Sequence, residues 1–183
     1  GSDAILLDVK CGKGAFMKSE EDAKALAELM CKIGSSQGKK TAAIISDMSE
    51  PLGHAVGNSL EVIEAIELLK GNIKGDLLKL CLNISAAMIY LGGGASGVEE
   101  GFALAENAIS SGRALQKLAE MIEYQGGNKL VIDDYSLFPK AEIYSEITAE
   151  SYGYIESIDA EYIGLASQHS GAGRASKDDE IDH

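Results

Sequence analysis

The sequence has no tryptophan, only two prolines and three cysteines, and 16 basic residues against 29 acidic ones. Each shortage removes a class of function. A formal charge of -13 would repel nucleic acid and anionic membrane surfaces, so neither is an expected partner. Cys11, Cys31 and Cys81 are widely spaced, with no C-x-x-C pair and no histidine at ligand spacing, so no zinc site or disulfide framework can be read from them. Three free thiols fit a reducing cytosol, which makes cytoplasmic the expected location. No run approaches about 18 apolar residues and no charged-then-apolar leader opens the sequence, so neither a membrane span nor export is indicated.

What is present describes an ordinary globular chain. Its 183 residues are 45% hydrophobic and 25% charged, enough for one large domain with a real core. Gly1 and Ser2 read as a residual tag, residues 3–174 as a partial, truncated α/β domain, and residues 175–183 as a polar tail with no packing signal.

The order of elements carries the fold class. AILLDV at residues 4–9 is a short apolar run of the kind used by a strand buried on both faces. Ser19 then opens a helix with Asp22 as capping partner, and Ala23, Leu26, Ala27, Met30 and Ile33 recur on one face. A second strand at 41–46 completes strand, helix, strand, which predicts parallel pairing. Asn58 with Glu61 caps the next helix, followed by helices from Asp76 to Leu91, from Ser96 to about Ser110, and from Arg113 to Tyr124. From Ala141 the period changes to AEIYSEITA and YGYIESID, which predicts a hairpin over 141–159, before a helix at 161–169. The expected architecture is α/β: a mixed, largely parallel sheet flanked by helices, a helical block, and a C-terminal β-rich segment.

Ligands of open α/β sheets sit beyond the carboxyl ends of strands, which directs attention to residues 47–58. That loop carries Pro51, Gly53 and Gly57, so its backbone takes irregular shapes. Asp47 and Glu50 flank the proline, and Glu61 and Glu64 lie behind it, an oxygen-rich setting of the type that holds hard cations. By helical period alone, Glu64 falls opposite the apolar stripe, on a solvated face. The other strand-to-helix loop, CGKGAFM at 11–17, could cradle a polar ligand or be a simple tight turn. Its G-x-G lacks the rest of a dinucleotide fingerprint, and the formal G-x-G-x-x-G at Gly92, Gly94 and Gly97 follows a helix and reads as a connector. Cys11 has no nameable base and reads as a small buried residue, and His54 as a loop-packing or surface group.

Three separated motifs, LLDVKCGKGAFMK, SDMSEPLGHAVGNSLEVIEAI and HSGAGRASKDD, resemble in order those of the pyrimidine-nucleoside and thymidine phosphorylases. The resemblance implies a pentosyltransferase that uses inorganic phosphate to release a pyrimidine from a (deoxy)nucleoside, giving (deoxy)ribose 1-phosphate. It implies that the aromatic at Phe16 helps line the pyrimidine pocket. It also implies a potassium ion held by the carbonyls of Leu52 and Ala55 and the carboxylate of Glu64, with further ligands from an upstream loop. The family's phosphate-binding and base-gripping residues fall before the first strand, so no catalytic residue is assigned and the chain alone is expected to be inactive. The full enzyme is expected to be a homodimer through an upstream helical domain, and this chain a monomer. The competing expectations are a nucleoside-monophosphate phosphorylase or phosphoribosyltransferase of the same fold, or a non-catalytic interaction domain.

Overall fold

The computed structural model describes residues 2–174, 176–178 and 181. Most of the polar tail at 175–183 and Gly1 therefore lie outside the described residues. Two strands, β1 (Ala4–Cys11) and β2 (Lys40–Asp47), pair in parallel from Ala4 with Lys40 to Cys11 with Asp47. They are joined by α1 (Glu20–Ser36). The Ser19 hydroxyl caps α1 by accepting from the Asp22 amide at 3.1 Å, and Glu20, Glu21 and Asp22 place negative charge at its positive end. Val9, Ala23 and Ala27 are buried between β1 and α1, with Leu7, Cys11, Ala43 and Ile45 packed around them. Odd-numbered residues of the strands thus face α1, and the even-numbered residues face away.

A helical block follows: α2 (Asn58–Leu69), α3 (Asp76–Leu91), α4 (Val98–Ser110) and α5 (Arg113–Tyr124). α3 packs on β1 and on α4. At the α3–α4 crossing Ala86 is fully buried, and a Cβ on Gly101 would stand 2.5 Å from the Ala86 carbonyl oxygen. Only a glycine allows the two backbones this approach.

Past α5, Tyr135 fastens a short 3-10 turn, Tyr135–Leu137, to the end of α2. Its hydroxyl donates to Glu67 and accepts from Lys70 Nζ at 2.9 Å, with the ammonium 4.7 Å from the ring centre. The Asn72 side-chain amide donates to the other Glu67 oxygen at 2.7 Å.

The sequence expectations hold for both strands and for α1, α3 and α5, and the others need correction. The hairpin expected at 141–159 does not form: no described residue there belongs to a strand, and residues 141–157 are exposed. A β-prone segment gains ladder hydrogen bonds only from a lateral partner, and among the described residues no backbone hydrogen bond joins 141–158 to another segment. Among the described residues the sheet is two-stranded and parallel, where a mixed one is expected from the sequence. Gly57, not Asn58, is the N-cap of α2, and the Glu61 carboxylate accepts from the Gly57 amide at 3.1 Å. Likewise Gly97 caps α4, while the Ser96 amide donates to Glu100 at 2.8 Å. The last helix, α6, spans Ala160–Ser167 and passes into a π-helical turn, Gln168–Ala172.

Two outcomes are expected. Gly101→Ala should lower the melting temperature by several degrees, since overpacking a tight crossing costs about 1–3 kcal/mol. Gly164→Ala, where nothing lies within 4 Å, should not lower it. Glu67 is held below the usual carboxylate range, chiefly by the Tyr135 hydrogen bond and then by that of Asn72. Its contribution is present above the unfolded pKa of about 4.3 and is lost as pH falls through the lower folded value. Thermal melts between pH 3 and pH 6, on the order of that pKa, should therefore show a shallower acid dependence for Tyr135→Phe than for the wild type.

Candidate functional site

Parallel strands end side by side, so the loops after β1 and β2 meet. The Met48 amide donates to the Cys11 carbonyl at 2.6 Å, the Gly14 amide to the Met48 carbonyl at 3.0 Å, and the Gly12 amide to the Met17 carbonyl at 3.0 Å. Asp47 closes a local turn by accepting from the Ser49 amide at 2.8 Å. Its carboxyl is held below the usual range, first by the Ser49 side chain and then by that amide.

The start of α6 docks on the same loops. The Ala160 amide donates to the Ser49 carbonyl at 3.0 Å, and Lys18 pairs with Glu161 at 3.3 Å. The Asn58 side-chain amide reaches the Ala172 carbonyl at 3.1 Å. The segment HSGAGR therefore lies against the loop that opens α2.

Glu64 departs from the solvated face that helical period assigns to it. One carboxylate oxygen accepts from the His54 amide at 2.7 Å and the other from the Ala55 amide at 3.3 Å. Gly53 stands so close that any Cβ there would overlap the carboxylate. The charge of Glu64 thus fixes the shape of residues 53–55 through backbone donors, an interaction stronger than a neutral hydrogen bond. Among the described residues no group of three or more His, Cys, Asp or Glu side chains is placed to hold a metal ion.

A cavity of about 970 Å³ opens beyond the carboxyl ends of the strands, between the β2 loop and the helices. Leu52, Ala55 and Glu64, expected together from the sequence, all line it. Phe16 does not: its side chain is 99% exposed on the β1 loop. His54 is exposed, Cys11 is half-buried with a free thiol, and Gly92–Gly94 joins α3 to α4 as a connector should. Burial pushes the thiol of Cys81, which lines the cavity, above its ordinary pKa, and that disfavours the nucleophilic thiolate. Lys10 also lines the cavity and bonds to Asp8 and Ser46. The sequence reading passes over this trio, although its signal is present as polar residues at alternate positions of otherwise apolar strands.

Residues 1–115 match the glycosyl transferase family, a/b domain. The chain belongs to that family. It is 50% identical over 182 residues to a pyrimidine-nucleoside phosphorylase of Geobacillus stearothermophilus, 47% to one of Bacillus subtilis and 48% to one of Staphylococcus aureus. Each alignment takes in the whole of this family member but only 42% of the relative. No helix among the described residues is long and apolar enough to cross a membrane.

Removal of the Glu64 carboxylate tests its role in the loop directly. Glu64→Ala should speed amide hydrogen exchange at His54 and Ala55 by about tenfold to a hundredfold, the loss expected for hydrogen bonds to a charged group. Amides of α4, which Glu64 does not touch, should exchange as before.

Proposed function

We propose that this chain is part of a pyrimidine-nucleoside phosphorylase and supplies one wall of its nucleoside pocket. The observation that carries this reading is identity of 47–50% with phosphorylases along the whole chain. The cavity at the strands' carboxyl ends supports it, because that is where α/β enzymes bind ligands. The reaction would be attack by an oxygen of inorganic phosphate on the sugar C1′. The C1′–N bond breaks, its electron pair leaves on the pyrimidine, and the product sugar carries the phosphate. Catalysis of that kind requires positioning of two substrates, stabilisation of charge on the departing base and exclusion of water.

In this reading Phe16 offers an exposed aromatic face that the pyrimidine covers on binding. Leu52, Ala55 and Glu64 contribute oxygens to a potassium ion. Their chemistry fits such an ion: the donors are hard oxygens, and the Glu64 carboxylate already lies against the backbone of residues 53–55. Bound there, the cation would add positive charge to an otherwise acidic wall and stiffen the β2 loop. The groups that bind phosphate and grip the base belong to the parts of the relatives that this chain does not span. The parent enzyme is a cytoplasmic homodimer, and this chain alone is a monomer, to be checked by sedimentation.

The test is phosphorolysis of uridine and thymidine in phosphate and potassium chloride, followed by loss of nucleoside absorbance. This chain alone should show no turnover, and restoring the upstream segment should bring activity that depends on both phosphate and potassium. Enzyme-like rates from the isolated chain would place the catalytic groups within it and overturn this assignment. Absence of any nucleoside cleavage by the full-length parent would overturn the function itself.

A further inference from the structure

Few contacts hold the last helix in place. α6 has eight residues, and isolated helices shorter than about 12 residues are marginal in water, so its helical form depends on what it docks against. None of its residues is buried, and Tyr162 and Leu165 stay exposed. Residues 141–157 before it are exposed as well, and no backbone hydrogen bond joins 141–158 to another described segment. At about 3.3 Å per extended residue, that tether lets α6 leave the body of the chain without pulling on α5.

Polar contacts fasten the two ends of this segment. At its start the Ala160 amide donates to the Ser49 carbonyl at 3.0 Å, Lys13 lies 3.8 Å from Asp159, and Lys18 lies 3.3 Å from Glu161. Lys18 Nζ also donates to the Lys13 carbonyl at 2.6 Å, which ties the two lysines into one basic corner of the β1 loop. Asp159 is the N-cap of α6 and accepts from the Glu161 amide at 3.0 Å, so the residue that meets Lys13 also starts the helix. At the far end the Asn58 side chain donates to the Ala172 carbonyl at 3.1 Å. Between these ends Ala160, Ile163 and Gly164 line the 970 Å³ cavity. They stand at its rim, since Ile163 and Gly164 are exposed while Leu68, Leu82 and Ala105 on the helix side are buried.

We propose that α6 is a strap across the mouth of the cavity, latched by Lys13–Asp159 and Lys18–Glu161, and that its release opens the cavity to a small ligand. Both ion pairs reach solvent, so each holds weakly and dissolved salt screens it. Opening therefore follows ionic strength and leaves the sheet and the α3–α4 crossing intact. The strap governs access, whichever ligand the cavity takes. A helix fixed as part of the body would open only when the whole domain unfolds.

The experiment compares this chain with the double variant Lys13→Gln, Lys18→Gln by two site-resolved mass-spectrometric readouts. One is amide hydrogen exchange, and the other is alkylation of each cysteine by iodoacetamide, a neutral reagent. Cys81 lines the cavity and senses its opening, whereas Cys31 on α1 lies outside it and serves as the control. At low salt the variant should exchange its α6 amides about twofold to tenfold faster, with a similar gain in Cys81 alkylation, as expected for the loss of two exposed ion pairs. Raising sodium chloride from about 0.01 M to about 1 M shortens the Debye length from about 30 Å to about 3 Å and should bring the wild type to the variant's rates. Exchange in α3 and alkylation of Cys31 should stay constant in both comparisons. The proposal fails if α6 amides exchange no faster than those of α3, or if Cys81 alkylation responds to neither salt nor the double variant. It fails equally if α3 exchange and Cys31 alkylation rise in step with α6 and Cys81, because the opening is then global unfolding. Should the variant not fold, the wild-type salt series alone decides between these outcomes.

Discussion

The rest of the arrangement depends on the parallel pairing of β1 with β2. Because both strands run the same way, Cys11 and Asp47 end opposite one another and their loops leave from one edge. An antiparallel pair would have sent one of those loops to the far end of the sheet. Once adjacent, the loops bind each other through backbone groups of Cys11, Gly14 and Met48. α6 then docks on both loops, through Ser49 after β2 and Lys18 after β1.

Glu64 shows how one charge can serve shape. Its carboxylate takes the amides of His54 and Ala55, the first at the solvent-exposed edge of the loop and the second part-buried. Gly53 is needed for the carboxylate to come that close. A loop held this way takes its shape from backbone donors and one carboxylate. In the Asp8–Lys10–Ser46 trio side chains do the holding, and each partner removes a rotamer from the lysine.

The elements legible in the sequence are those whose cause is local. Ser19 and Asp22 announce the start of α1, and the apolar period of Asp76–Leu91 announces α3, because capping and amphipathicity act within a few residues. The segment AEIYSEITA misleads for the opposite reason: strand propensity is a promise about a neighbour that a linear reading does not see. Glu64 misleads in the same way, since helical period describes which way a residue points and not which loop folds back over it. The grouping of Leu52, Ala55 and Glu64 comes from resemblance, and helical period gives no hint of it.

Charge distribution limits which ligands the wall of the cavity can hold. The proposed phosphorolysis would bring together a dianionic nucleophile and a base that leaves with negative charge, so its full site would need positive charge twice. Around the cavity this chain supplies carboxylates and one lysine already paired with Asp8. A paired lysine has lost most of its long-range field but keeps its direction. Phosphate, charged from the outset, needs unpaired cations or backbone donors. In the proposed reaction, phosphate recognition would fall to the portion of the relatives beyond the 42% spanned here.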